Sequence, residues 1–221
     1  YTRLPDASIE IRRTISAWND GNQVKTTGKV LIENSLLVSQ CGFFHGMPFW
    51  NNDDDCRANG DALVFALNPG DTATVTNTTI TGAGSCLVIA ECALDKSCTG
   101  TERVVIRNVL FQGQEIFFSP GEQTCFAWYD DESAFLVENP FEITYSLISG
   151  VRFGNVDPCA SGHNLCGLDP RLVDASLASF DAHLLPGSPA IDAGTSAGAP
   201  LDDITGQRRD GIPDIGAFEF R

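Results

Sequence analysis

The sequence has few basic residues. It contains 14 Lys and Arg against 29 Asp and Glu, which gives a formal net charge of −15. Such a surplus of negative charge repels phosphate backbones and anionic membrane surfaces, so nucleic acid is not an expected partner. No uninterrupted apolar run reaches about 18 residues, and no transmembrane segment is therefore expected. The chain starts at Tyr1 without a Met or a signal segment, which favours a processed or excised chain.

Motifs of several common enzyme classes are also missing. His45, His163 and His183 are scattered, and neither HxxxH nor CxxC spacing joins them to a further ligand, which argues against a structural zinc site. No glycine-rich phosphate loop precedes a helix, and no Ser or Cys lies in a nucleophile elbow. No Pro- or Ser-rich linker divides the 221 residues, so one elongated domain is expected.

One residue spacing recurs four times. An apolar residue is followed by Asn two places on, by a second apolar residue three further on, and then by Gly or Ser. The copies are Ile32/Asn34/Leu37/Ser39, Val75/Asn77/Ile80/Gly82, Ile106/Asn108/Phe111/Gly113 and, with Tyr in place of Asn, Ile143/Tyr145/Ile148/Gly150. Their unequal separation is typical of an all-β solenoid in which strands stack in register while the loops vary in length.

Each copy predicts a unit of three strands. First strands are expected before a loop, at 9–13, 63–67, 86–90, 115–118 and 151–153. Second strands are expected before the Asn position, at 30–33, 73–76, 103–107 and 141–144. Third strands are expected after it, at 36–38, 79–81, 109–111 and 147–149.

Alternation along the first strands predicts which side chains face the interior. The inward set is Ile9, Ile11, Leu63, Phe65, Leu87, Ile89, Ile116, Phe118, Val151 and Phe153. Each fully buried apolar side chain stabilises the fold by about 1.5–3 kcal/mol. The stacked inward side chains are therefore expected to contribute most of the stability. The outward set is Glu10, Arg12, Val64, Val88, Phe117 and Arg152. The middle of this face is apolar, which is compatible with cover by loops, with a protein partner or with a substrate groove.

Asn34, Asn77 and Asn108 fall at the bend between second and third strands. Asn tolerates a left-handed backbone, and its amide can both donate and accept. A buried asparagine ladder is therefore predicted, with about 1 kcal/mol for each amide bond; surface turns are the alternative. Tyr145 is expected to end the ladder.

Two features accompany these bends. Asn77-Thr-Thr matches an N-glycosylation acceptor, which a buried ladder position could not carry. Gly82, Gly113 and Gly150 recur after the third strand, where a positive φ is expected.

The eight cysteines favour oxidised bridges over metal sites. This predicts a secreted, periplasmic or cell-surface protein. The expected pairs are Cys41–Cys56, Cys92–Cys98 and Cys159–Cys166 within local loops, and Cys86–Cys125 between neighbouring units.

Two long insertions, residues 40–60 and 119–139, border the face of the first strands. Asp53, Asp54 and Asp55 form an oxygen-rich run that could hold Ca²⁺, the one cofactor candidate; a solvated acidic loop is the alternative. Asp130, Asp131 and Glu132 could act as acid and base, or could simply be hydrated. The candidate sugar- or protein-binding residues are Trp50, Trp128, Tyr129, Phe117 and Arg152, although large rings could instead cover the apolar face.

The last part of the chain carries the most specific pattern. Ser188-Pro-Ala-Ile-Asp-Ala-Gly194 and a closing Asp214-Ile-Gly-Ala-Phe-Glu219 resemble the C-terminal end of bacterial extracellular right-handed parallel β-helix proteins. The resemblance is to the pectate-lyase-like superfamily, particularly the group with a "choice-of-anchor Q" domain. It implies a right-handed parallel β-helix with irregular loops over residues 1–156 and a C-terminal end-cap over 157–221. No amphipathic capping helix precedes Ile9, so further upstream chain or a partner is expected at that end.

The resemblance does not decide whether the protein is an enzyme. Related lyases bind substrate along the first-strand face, with Ca²⁺ held by carboxylates and an Arg or Lys base, and related hydrolases place paired carboxylates there. No such set stands among the outward positions of this sequence. The favoured hypothesis is a non-catalytic binding or structural module with a protein or carbohydrate partner, as a subunit of a larger surface assembly. The alternative is a polysaccharide lyase or glycoside hydrolase.

Overall fold

The computed structural model describes residues 8–20, 22–40, 61–82, 86–93, 98–114, 125–129, 141–153, 157–160 and 162–221. Over these ranges all the regular elements are strands. Within the same ranges, no helix has the length and apolarity needed to cross a membrane.

Three sheets of parallel strands make up the body of the protein. Sheet I contains β3 (Val24–Thr27), β6 (Leu63–Leu67), β9 (Cys86–Cys92), β12 (Cys125–Tyr129) and β15 (Arg152–Phe153). Sheet II contains β1 (Ser8–Arg12), β4 (Lys29–Glu33), β7 (Thr72–Thr76), β10 (Arg103–Arg107) and β13 (Phe141–Thr144). Sheet III contains β2 (Ile15–Asp20), β5 (Leu36–Gln40), β8 (Thr79–Gly82), β11 (Leu110–Gly113), β14 (Leu147–Ser149) and β16 (Leu165–Cys166).

Strands that follow one another in sequence belong to successive sheets. From β3 to β14 the chain passes from sheet I to sheet II to sheet III and then returns to sheet I, beside the strand it left. The predicted second and third strands are confirmed to within two residues at either end. A separate antiparallel hairpin, β17 (Leu172–Asp174) with β18 (Asp181–Leu184), follows the three sheets.

The prediction for residues 9–13 was wrong about the sheet. These residues were expected to form a first strand, but β1 pairs with β4 and belongs to sheet II, and β3 is the corresponding strand of sheet I. Glu10 and Arg12 therefore lie on the outer surface of sheet II. Alternation reveals a strand and its two faces, but only the pairing register identifies the sheet.

The strand predicted at 115–118 lies outside the described residues, together with Phe117. The strand of sheet I that follows β9 is β12, which lies inside the predicted loop 119–139.

A β-bulge in β9 overturns part of the predicted inward set. Cys125 and Phe126 are consecutive on β12 but pair with Cys86 and Val88, so Leu87 is an extra residue on β9. An extra residue reverses the alternation beyond it. Val88 accordingly joins the buried core, and Ile89 packs with Cys86 in a separate cluster. The prediction that Val88 points outward and Ile89 inward was therefore wrong.

Equivalent apolar residues of successive units lie side by side in the core. In sheet II, Ile32, Val75, Ile106 and Ile143 are Cα partners. In sheet III the partners are Leu37, Ile80, Phe111 and Ile148. The Phe111 ring meets Phe126 of sheet I edge-on, with 4.7 Å between ring centroids. At about 1.5–3 kcal/mol for each fully buried side chain, these columns dominate the stabilisation of the sheets.

The C-terminal region covers sheet III. Residues 162–166 lie against the last strands, where Leu165 pairs with Leu147 and the Tyr145 amide donates to the Gly162 carbonyl. The β17–β18 hairpin and the irregular C-terminal segment (residues 185–221) then form an apolar cluster with outward side chains of sheet III. Its buried members are Leu36, Val38, Leu110 and Leu147 from the sheet, Leu172, Phe180, Ala182 and Leu184 from or beside the hairpin, and Ala190, Ile204, Ile215 and Ala217 from the segment.

Two of the predicted disulfides are confirmed, Cys92–Cys98 and Cys159–Cys166. Cys86 is also disulfide-bonded, and Cys125 is its Cα partner in sheet I. The side chain of Cys125 and the pair Cys41–Cys56 lie outside the described residues.

Small residues form a column at the end of the third strands. Ser39 pairs with Gly82, which pairs with Gly113. The expected positive φ is confirmed at Gly150, at 65°, but was wrong for Gly82 and Gly113. A Cβ on Gly82 would lie 2.9 Å from the Ser39 Cβ and 2.9 Å from its carbonyl oxygen. Close approach of neighbouring units, rather than backbone conformation, therefore requires glycine at this position.

The substitution Gly82→Ala should lower the free energy of unfolding by about 1–3 kcal/mol, because the added methyl group must displace Ser39. The measurement is urea denaturation followed by circular dichroism. Gly70→Ala is the matched control: its Cβ would meet nothing within 4 Å, and only its φ of 79° opposes the change. Equal losses in the two variants would contradict the packing explanation.

Candidate binding surfaces

The structure places some of the predicted site residues and leaves others outside its range. Trp50, Phe117, Asp53, Asp54 and Asp55 all lie outside the described residues. The backbones of Trp128 and Tyr129 belong to β12, where their Cα partners are Ala90 and Glu91, and their side chains lie outside what is described. Arg152 is exposed on β15 of the same sheet. Trp128, Tyr129 and Arg152 thus share sheet I, whereas the prediction put the first two in a loop.

The outer surface of sheet I has an apolar middle, as predicted, but with different residues. Lys25, Val64 and Ile89 are Cα partners on this surface. Lys25 is exposed and Ile89 half-buried, while Val64 is only 7% exposed although it points away from the core. The apolar middle of sheet I is therefore covered at Val64 and partly covered at Ile89.

Asp61 is a buried acid beside this covered surface. It precedes β6, it is 3% exposed, and its Oδ1 accepts a 2.8 Å hydrogen bond from the Cys86 amide. Burial raises the pKa of Asp61 to about 6, against the lowering effects of that hydrogen bond and of the Lys25 charge. A carboxyl with a raised pKa beside a candidate ligand surface can act as a general acid. Sequence reasoning missed Asp61, although it stands directly between the long insertion and the apolar run 62–67.

The outer surface of sheet II is regular and accessible. One row across its strands consists of Glu10, Leu31, Thr74, Val105 and Glu142. In this row Leu31, Thr74 and Val105 are half-buried, and the two glutamates at its ends are exposed. The next row consists of Arg12, Glu33, Thr76, Arg107 and Thr144.

Ion pairs join the two rows of sheet II. The Arg12 guanidinium donates to Glu10 at 3.2 Å and also to Glu33. Arg107 donates to Glu142 at 3.2 Å. The three glutamates of these rows thus have ion-pair partners in two arginines, with Arg12 shared between Glu10 and Glu33. The surface offers a small apolar centre with a charged border.

The asparagine positions are buried in left-handed turns, as predicted. Asn34, Asn77 and Asn108 have φ values of 47°, 42° and 54°, and all three side chains are buried. Tyr145 has the same backbone conformation, and its ring stacks on His163 with 5.1 Å between centroids. Since Asn77 is fully buried, its Asn-Thr-Thr motif cannot accept a sugar in this fold.

The predicted ladder is only partly formed. One rung is present, from the Asn108 amide to Asn77 Oδ1 at 3.1 Å. Asn77 Oδ1 also accepts from the Thr76 hydroxyl at 3.2 Å. The amides of Asn34, Asn77 and Asn108 donate to the C-terminal segment, at the backbone carbonyls of Asp202, Asp214 and Thr195. The Thr195 amide and the Arg209 guanidinium donate back to Asn108 and Asn34. The prediction of a buried ladder is thus confirmed for the burial of the three asparagines and for one rung, and the remaining amides bond to the C-terminal segment because the turns face it.

A buried charged network holds the C-terminal segment itself. Arg209 and Glu219 form an ion pair at 2.7 Å, with side chains 4% and 2% exposed. Asp203 accepts from the backbone amides of Thr205, Gln207 and Glu219 and from the Thr205 hydroxyl, and these bonds lower its pKa against the effect of burial. Asp214, the third buried carboxylate, accepts from the Asp192 and Phe220 amides. The side chains of Arg209, Glu219, Asp203 and Asp214 thus hold the C-terminal segment in its docked conformation.

Metal binding finds no support in the part of the chain that is described. Among those residues, no three His, Cys, Asp or Glu side chains are arranged to hold an ion. The Ca²⁺ candidates Asp53, Asp54 and Asp55 lie elsewhere and stay a prediction.

Comparisons with protein-family models, with curated proteins and with solved structures found no match to this chain. The candidate surfaces are therefore interpreted from the chain's own residues.

The substitution Asn108→Ala should lower the free energy of unfolding by about 3–5 kcal/mol. It leaves the amide and the carbonyl of Thr195 without their partner, at about 1–3 kcal/mol for each buried polar group left unpaired, and it removes one of the two donors to Asn77 Oδ1, which keeps the Thr76 hydroxyl. It also forces Ala into a left-handed conformation. Denaturant unfolding measures the loss.

Two further variants separate these causes. Asn108→Gly should recover about 1 kcal/mol relative to Ala, because glycine tolerates the positive φ. Asn19→Ala, at an exposed asparagine, should cost no more than about 0.5 kcal/mol. A cost at Asn108 as small as at Asn19 would show that the turn amides do not hold the C-terminal segment.

Proposed function

We propose that the chain is a right-handed parallel β-helix of the pectate-lyase-like type, working outside the cell as a non-catalytic binding or structural module. The recurring order of sheets I, II and III, with parallel strands stacked in register, supports this architecture. Residues 1–156 would then form the coils and residues 157–221 the C-terminal cap. The disulfides support a secreted, periplasmic or cell-surface location.

The observation that carries the binding role is the contrast between the three outer surfaces. Sheet III is covered by the chain's own C-terminal region, and the middle of sheet I is buried at Val64. Sheet II keeps Leu31, Thr74 and Val105 accessible in one row, bordered by arginine–glutamate pairs. An apolar centre inside a polar border is the usual arrangement of a protein interface. The occupant we propose is another protein chain of a surface assembly.

The binding proposal is tested by isolating the protein, with its bound chains, from its source. Val105→Arg places a charge at the centre of the sheet II row and should weaken a stoichiometric complex by more than about tenfold. Val173→Arg is the matched control, because Val173 is 50% exposed on the β17–β18 hairpin, away from sheet II. A complex lost equally in both variants, or in neither, would refute the sheet II surface as the interface.

Asp61 supports a second candidate function, a carbohydrate-active lyase or hydrolase. Its raised pKa beside sheet I suits a general acid, and Trp128, Tyr129 and Arg152 belong to the same sheet. Any Ca²⁺ would be bound by Asp53, Asp54 and Asp55, the candidates from the sequence.

Product release from a panel of acidic and neutral polysaccharides would favour this alternative. Under it, Asp61→Asn should lower the rate by about 10²–10⁴-fold, the usual contribution of a general acid. Val105→Arg should leave that rate unchanged. A chain that releases no product from any glycan of the panel would leave the binding role standing.

A further inference from the structure

The buried network of the C-terminal segment is unbalanced in charge. Asp203, Asp214 and Glu219 are 2%, 2% and 7% exposed. Arg209 is the one guanidinium paired within this network, and its charge goes to Glu219. Asp203 is compensated by four donors. Asp214 is left with the least compensation.

Asp214 connects the segment to the asparagine turns. Its Oδ1 accepts from the Asp192 amide at 2.8 Å, and its Oδ2 accepts from the Phe220 amide at 2.6 Å. Its own amide donates to Glu219 Oε2, and its carbonyl accepts from the Asn77 side chain. One residue therefore joins two distant parts of the segment to sheet III.

The surroundings of Asp214 disfavour its negative charge. Burial raises the pKa of Asp214 to about 6, with further raising by the charges of Glu219 and Asp192 and opposition from the two backbone amides. On the side of the sheets, the Asp214 carbonyl meets the uncharged side chain of Asn77. The other charged or titratable groups of the network's border are Asp210, whose amide donates to Glu219, Arg13, whose guanidinium donates to the Ile204 carbonyl, and His183 and Arg221, which line a cavity of about 230 Å³ with Asp203 and Glu219.

We propose that the C-terminal segment is an acid-tightened cover of sheet III, whose attachment to the asparagine turns strengthens when Asp214 takes up a proton. The docked segment holds that proton in a buried site beside Glu219 and Asp192, whereas the undocked segment exposes Asp214 to water. The device is independent of the partner proposed for sheet II.

The direction in which docking depends on pH follows from the raised pKa of Asp214. A carboxyl whose pKa is higher in the docked state binds its proton more tightly there, so docking gains as the pH falls through about 6 and reaches its full gain near the ordinary value of 3.8. Asp203 acts in the opposite sense, because its pKa is lowered. Its contribution is lost only below its ordinary range, outside the window in which Asp214 titrates.

Native-state hydrogen exchange tests the proposal on the whole protein. The amides of Thr195, Gly216 and Ala217 donate to Asn108 Oδ1, to the Asn108 carbonyl and to the Thr79 hydroxyl, so their protection reports docking. Their protection factors should rise by up to about tenfold between about pH 7.5 and about pH 5. The reference is the same pH series in a variant that lacks the Asp214 carboxyl, because Asp61, whose pKa is also raised to about 6, changes the stability of the sheets over the same window. Equal protection of the segment at both pH values would overturn the proposal.

Three variants identify the titrating group. Asp214→Asn cannot take up the proton and should give protection that is flat with pH, at a lower level because an amide nitrogen now faces a backbone donor. Asp192→Asn keeps the backbone bond and suits its φ of 51°; it should move the midpoint to lower pH, and it keeps the test valid if Asp214→Asn fails to fold. Asp210→Asn, at an exposed acid of the same segment, should behave as the unmodified protein. A flat profile in Asp210→Asn would refute the role of Asp214.

Discussion

Buried amides at left-handed turns impose the constraint on which the rest of this structure depends. Asn34, Asn77 and Asn108 turn the chain from sheet II to sheet III, and each brings a donor and an acceptor out of contact with water. Neighbouring turns satisfy only the bond between Asn108 and Asn77. Carbonyls of the C-terminal segment accept from all three side-chain amides, and its Thr195 amide and Arg209 guanidinium donate to Asn108 and Asn34. The turns and the segment therefore require each other.

This dependence decides which surfaces are available. Because the segment must lie over the asparagine turns, the outer side of sheet III can carry Leu36, Val38, Leu110 and Leu147 without exposing them. The central row of sheet II is half-buried, and its side chains are mixed, with Thr74 between Leu31 and Val105. A partner is therefore best accommodated on sheet II, where binding does not compete with the chain's own C-terminal region.

Local patterns predicted the strands, because the alternation of apolar and polar residues along each strand is visible in the sequence. The turns were also predictable, since the Asn spacing recurs at 34, 77 and 108 and the backbone preference of Asn is intrinsic. The failures came from relations between strands. The sheet to which β1 belongs depends on its pairing with β4, and the reversal at Val88 depends on one extra residue opposite β12. The C-terminal partners of the asparagines could not be inferred, because they lie more than eighty residues away along the chain.

The charge of the protein follows partly from the same architecture. An irregular segment has no neighbouring strand to accept its backbone amides, and every buried amide needs an acceptor. Carboxylates supply those acceptors here: Asp203 serves residues 205, 207 and 219, Asp214 serves 192 and 220, and Glu219 serves 210 and 214. Burying three acids with the single paired guanidinium of Arg209 is the electrostatic consequence of covering a sheet with irregular chain. The docking of the C-terminal segment is thus sensitive to pH because buried carboxylates hold its backbone amides.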